Sequence, residues 1–183
     1  MTLKEIDLLF ENLASKDDKV RYPSFIKLQE ITDSKVKWIY TKWFMLVEKL
    51  SSENSYQRTI GLTLLANLCK NDHEQRIANI IDEYLNHFND EKFITARLCI
   101  QSVWKIAVTN NNLRRKIIDS LENSYRENIH LKTHPNLIRQ DIVDSLEKIM
   151  TGTKDERVKE AAARLIAEET DEKVIKKLKN IVK

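Results

Sequence analysis

Glycine and proline are nearly missing from this chain: two of each occur in 183 residues, where averages of about 7% and 5% are usual. The tight turns of a sheet depend on such residues, whereas helices lose nothing without them, so the composition points to an all-helical protein. Cysteine is equally sparse. Cys69 and Cys99 lie in apolar helical stretches with no CxxC or Cys/His cluster around them, which excludes a disulfide framework and a zinc site. No apolar run has the length of a signal peptide or a membrane span, so the expected location is the cytoplasm. Charge of one sign is not in excess: 31 basic against 28 acidic residues give +3, a weak argument for nucleic acid. The phosphate and catalytic motifs GxGxxG, GxxxxGK[ST], HExxH and GxSxG are absent. No catalytic residue, cofactor site or metal site is assigned.

What remains is helical periodicity almost from end to end. The apolar spacing predicts ten helices: about Thr2–Ala14, a second to Thr32 capped by Asp17 or Asp18, and Val36–Leu50. Asn54 opens a fourth to Lys70, Asp72 a fifth to Phe88, and Asn89-Asp90 a sixth to Val108. The series continues with Leu113–Arg126, a helix started by Thr133-His134-Pro135 and stopped by Gly152, one opened by Asp155, and a short one opened by Asp171. The links are a few residues long and make neighbouring helices antiparallel. No linker rich in Pro, Gly or Ser divides the chain. The expectation is a single domain, 1–183, with repeats of about 1–33, 34–70, 71–109, 110–152 and 153–183.

Four arginines mark these repeats: Arg21, Arg58, Arg97 and Arg139, separated by 37, 39 and 42 residues. Position +7 from each holds Leu28, Leu65, Trp104 and Leu146; position +10 holds Ile31, Leu68, Ala107 and Ile149. A period near 40 residues is the signature of a helical repeat array. The phrase Asp17-Asp18-Lys19-Val20-Arg21 with Ser24, Leu28 and Ile31, echoed by Asn54, Arg58, Gly61, Leu65 and Leu68, resembles the HEAT-repeat family. The resemblance implies a right-handed α-solenoid of about five antiparallel helical hairpins. It also implies that the arginine row is structural, a ladder bonded to turn acids or carbonyls of adjoining repeats, with Asp17, Asn54 and Asp90 as expected partners of the first three. It specifies an architecture rather than an activity.

Other candidate chemistry is thin. Pro135 and the break beside it keep His130 and His134 off a common helical face, and Asp141, Asp144 and Glu147 read as a solvated acidic face. The alternative function is nucleic-acid binding of the kind found in HEAT-like DNA alkylation-repair glycosylases, which Trp38, Trp43 and Trp104 invite. Charge opposes it: the four arginine-bearing helices sum to zero, whereas duplex binding needs several cations on one surface.

The least regular element is the third helix. Val36, Ile39, Trp43, Leu46 and Leu50 supply a buried stripe and leave Trp38, Tyr40 and Met45 over, with Lys42 close by. Trp38, Tyr40, Lys42 and Met45 are therefore the candidate partner-binding residues. The expected partner is another protein or peptide, with a homodimer through Trp38 as a further option; neither nucleic acid nor membrane is expected. The last segment sets Val174, Leu178 and Ile181 inward and its lysines outward, as a terminal repeat requires.

Overall fold

The computed structural model describes residues 2–129 and 135–183. Ten α-helices lie among them: α1 (Leu3–Asn12), α2 (Asp18–Thr32), α3 (Ile39–Glu48), α4 (Ser55–Leu68), α5 (Ile81–Asn86), α6 (Phe93–Thr109), α7 (Asn111–Ile129), α8 (Pro135–Thr153), α9 (Glu156–Glu168) and α10 (Glu172–Ile181). Short 3-10 turns occupy Cys69–Asn71, Arg76–Asn79 and His87–Asn89, and no strand occurs among the described residues. Thr2 and Glu5 form a capping box on α1, and Asp17, Asn54, Asp155 and Asp171 cap α2, α4, α9 and α10. A short polar side chain there satisfies an amide that the helix itself leaves unbonded.

The chain groups into two compact units, Met1–Tyr84 and Leu85–Lys183. In the first, α1 pairs with α2, α3 with α4, and α2 packs on α4. The core is built from Phe10, Leu28, Trp43, Leu46, Leu62 and Leu65. Gly61 is the small residue that lets α3 and α4 approach: a Cβ there would lie 2.9 Å from the Leu46 carbonyl oxygen and 3.0 Å from Lys49 Cβ. Polar ties join the successive hairpins, with Asn67 Nδ2 donating to Thr32 Oγ1 at 3.0 Å and Gln57 Nε2 to the Leu13 carbonyl at 2.7 Å.

In the second unit α6, α8 and α10 form one row, and α7 and α9 the other. Ile100, Val103, Leu121, Ile142, Leu146 and Leu165 fill the space between them. Buried Ser145 donates to the Ile100 carbonyl at 2.7 Å, which ties α8 to α6.

Several elements depart from the periodicity. The α3 helix starts at Ile39 rather than Val36. The fifth helix expected from Asp72 to Phe88 is broken into turns and the short α5. Buried Asp72 binds the Ile77 amide at 2.8 Å, and Gln75 takes a left-handed conformation, φ 53°, so a continuous helix cannot form. Gly152 does not stop α8. It lies within the helix, where a Cβ would meet Val108 Cγ2 at 2.8 Å, and Lys154 takes the left-handed position instead, φ 56°. Trp104 is half-buried rather than in the core. Pro135 does open α8; Thr133, His134 and His130 lie outside the described residues.

Candidate functional site: the outer face of α3

The four nominated side chains separate into two groups. Trp38 is 8% exposed and meets the Phe10 ring edge-on, centroids 5.5 Å apart. Lys42 turns the same way: it binds Asp7 at 2.6 Å and lies 5.3 Å from the centre of the Phe10 ring. Both belong to the packing of α1 against α3, and Trp38, a candidate for partner binding, is a core residue here. Tyr40 and Met45 remain on the outer side, half-buried and 39% exposed.

Phe44 completes that side and had not been singled out. At 71% it is the most exposed of the large apolar side chains among the described residues, one turn after Tyr40. Arg76, from the turn after α4, places its guanidinium 4.4 Å from the Tyr40 ring centre and 5.8 Å from that of Phe44. Glu74 accepts from Arg76 Nε at 2.8 Å, fixing the plane of the cation. The turn is itself moored on Tyr40, whose hydroxyl accepts from the Glu74 amide at 2.8 Å and donates to Asp72 Oδ1 at 3.2 Å. Desolvation, with help from the Asp72 carboxylate, raises the Tyr40 hydroxyl above its ordinary pKa, so it stays a donor at neutral pH. Phe44 was discoverable from its i, i+4 spacing to Tyr40. Arg76 was not, because the strained Gln75 that aims it carries no sequence signal.

The arginine row divides as well. Arg21 and Arg58 close the turn before their own helices: each donates through NH1 to the carbonyl six residues back, Ser15 at 2.9 Å and Ser52 at 2.8 Å. Arg21 also binds the Asp18 carboxylate and lies over the Tyr56 ring. Asp17 and Asn54, their expected partners, are occupied as helix caps. Arg97 and Arg139 reach the following repeat instead. Arg97 forks onto Asp141, 2.6 and 3.1 Å, and Asp90 pairs with His87. Arg139 binds Glu169 at 2.5 Å and Asn136 at 2.6 Å. Of the acidic run, Asp141 is thus a buried ion-pair partner and Asp144 binds Lys177.

Among the described residues no cluster of His, Cys, Asp and Glu is arranged to hold a metal. A groove of about 300 Å³ between α7 and α9 is lined by Arg115, Arg157, Arg164, Asp119, Glu160 and Ile118. Its charges are largely spoken for: Arg157 forks onto Asp155 and Arg164 onto Glu122.

No protein-family model matches the sequence, and no curated protein matches it. Solved structures do. An engineered protein, structural-genomics target OR329, matches over 97% of this chain and 77% of its own at 17% identity and TM-score 0.59. A second, target OR497, matches over 99% and 47% at 18% identity and TM-score 0.60. A designed armadillo repeat protein in complex with the peptide (KR)4 matches over 95% and 79% at 19% identity and TM-score 0.58. Likeness at this identity establishes the fold alone: the chain is an all-α helical-repeat solenoid, similar to that of a designed armadillo repeat protein.

Proposed function

We propose that this chain is a non-enzymatic protein-interaction scaffold that docks a peptide or protein partner on the outer face of α3, through Phe44, Met45, Tyr40 and Arg76. The observation that carries this reading is the exposure of Phe44 beside a guanidinium already held in place by Tyr40 and Glu74. Aromatic and arginine side chains dominate the energetics of protein interfaces, and a cation immobilised beforehand loses little entropy on binding. The peptide bound by the designed armadillo neighbour supports the kind of role. No helix among the described residues is long and apolar enough to cross a membrane, and we place the protein in the cytoplasm.

The test is quantitative. A partner captured from native extract is purified and titrated against wild type, Phe44→Ala and Arg76→Ala. Phe44→Ala is expected to weaken binding by about 30-fold or more, the scale of an interface hot spot. Unchanged affinity in both variants overturns the α3 assignment.

A further inference from the structure

The outer side of α3 carries a second regularity. Lys37, in the turn before the helix, and Thr41, Phe44 and Glu48 follow one another at intervals of four, three and four residues, the spacing of a single helical stripe. All four are exposed. Tyr40 and Met45 flank the stripe. The six residues pair off about one point: Lys37 and Glu48, Tyr40 and Met45, and Thr41 and Phe44 each lie equally far before and after the peptide bond between Lys42 and Trp43. The two charged members enter no ion pair among the described residues. Lys49, next to Glu48, donates its ammonium to the Gln57 side-chain oxygen instead. The Thr41 hydroxyl donates to the Trp38 carbonyl at 2.7 Å, so Thr41 brings no unmet donor to a contact.

We infer that a second copy of this chain occupies this face, the two α3 helices packed antiparallel about a two-fold axis that passes between Lys42 and Trp43. Such an axis lays a surface on itself, residue i on j and j on i. Here it sets Lys37 against Glu48 of the second copy, Phe44 against the small Thr41, and Tyr40 against Met45, an aromatic–thioether pair. Each contact occurs twice. The opposite charges at the two ends are what fit the face to itself: parallel alignment would set lysine on lysine and glutamate on glutamate. The ten residues of α3 span about 15 Å. A contact one helix wide and that long falls short of the roughly 800 Å² per partner of a standard interface, so the dimer is weak, with a dissociation constant on the order of 100 µM. Self-association rests on the reading of the outer face of α3 as a docking surface, and names its occupant when no other partner is present. It also regulates that surface, because the dimer covers Phe44 and leaves only the monomer open to a partner.

The experiment is sedimentation equilibrium of the purified full chain between about 5 µM and 1 mM, at about 50 mM salt so that the end charges are little screened. The wild type is expected to show a monomer–dimer equilibrium, and Phe44→Ala to weaken it by about tenfold or more. Lys37→Glu and Glu48→Lys each set like charges together at both ends, and each is expected to weaken the dimer by about fivefold or more. An equimolar mixture of the two variants is expected to regain wild-type association, because every end pair is then opposite in sign. Both positions are exposed, so the swaps leave the core intact. The proposal is overturned by a chain that stays monomeric at the highest concentration, by a dimer undiminished in Phe44→Ala or in the single swaps, or by a mixture that associates no better than its components. The docking reading fails separately. A dimer lost in Phe44→Ala, with unchanged affinity of Phe44→Ala and Arg76→Ala for the partner captured from extract, overturns that reading and keeps self-association. A monomeric chain whose partner is still lost in Phe44→Ala overturns self-association alone.

Discussion

A methyl group at Gly61 would press on the Leu46 carbonyl oxygen, a backbone atom of the neighbouring helix, and on Lys49 Cβ. Neither can rotate away. Gly61→Ala gains about 1 kcal/mol of helix propensity, yet it is expected to destabilise the protein by about 1–2 kcal/mol net because α3 must be pushed off α4; chemical denaturation measures the sign. Arg58 raises a different residue-scale question. It is 7% exposed and donates to the Ser52 and Glu53 carbonyls. Arg58→Ala is expected to cost about 2 kcal/mol, because hydrogen bonds from a charged donor are lost and carbonyls are left unmet. Arg58→Lys should recover only part of it, since one ammonium does not reproduce a guanidinium fork. A thermal midpoint equal to wild type for Arg58→Ala would remove the structural role of the row. The arginine positions were legible in the sequence because the period fixes their register. Their partners were not. Asp17 and Asn54 stand at the right spacing both for an arginine and for a helix-cap amide, and the amide takes them.

At the scale of elements, the link between α9 and α10 is the most instructive. Glu169 is buried there, accepting from the Thr170 and Asp171 amides at 2.8 Å, from the Tyr125 hydroxyl and from Arg139. Burial alone would raise its pKa; the Tyr125 hydroxyl and the two amides outweigh burial and hold it below the usual carboxylate value. Asp155, which caps α9, is depressed likewise, first by the Arg157 guanidinium and then by Arg114. A carboxylate with a lowered folded-state pKa adds stability above its unfolded pKa of about 4 and loses it as pH falls through the folded value. Amide exchange in α9 and α10 is thus expected to accelerate below about pH 4, and Glu169→Gln should lower the melting temperature at pH 7 more than at pH 3. Equal losses at both would exclude the charge as the cause. Caps were the most legible part of the elements: Asp17, Asn54, Asp155 and Asp171 each start the helix their spacing announces. The broken segment after α4 was illegible because Asp72, which reads as a cap, instead folds back on Ile77 and Tyr40, contacts with no periodic trace.

Over the whole molecule, two kinds of chemistry join successive repeats. In Leu85–Lys183 the described ties are chiefly ionic: Arg97–Asp141, Arg114–Asp155, Arg164–Glu122, Arg126–Glu168 and Arg139–Glu169. In Met1–Tyr84 they are mostly neutral, as in Asn67–Thr32, Gln57–Leu13 and Val36–Asn71, with Lys42–Asp7 as an ionic exception. Of the ionic ties, Arg126–Glu168 and the guanidinium of Arg164 are open to solvent; exposed ion pairs contribute about 0–1 kcal/mol each and are screened by salt, the buried pairs less so. Raising the salt to about 1 M, where the Debye length is about 3 Å, should reduce exchange protection in residues 85–183 more than in 1–84. Equal change in both would show that packing alone sets their stability. The net charge of +3 concealed this division, because it sums cations and anions without regard to which repeat each one reaches. Asp155 carries a further consequence. One carboxylate caps α9 and also receives Arg114 from the repeat before, so α9 cannot fray without loosening α7. A chain wired in this way unfolds its last repeats together, in one cooperative step, rather than peeling them off one at a time from the carboxyl end.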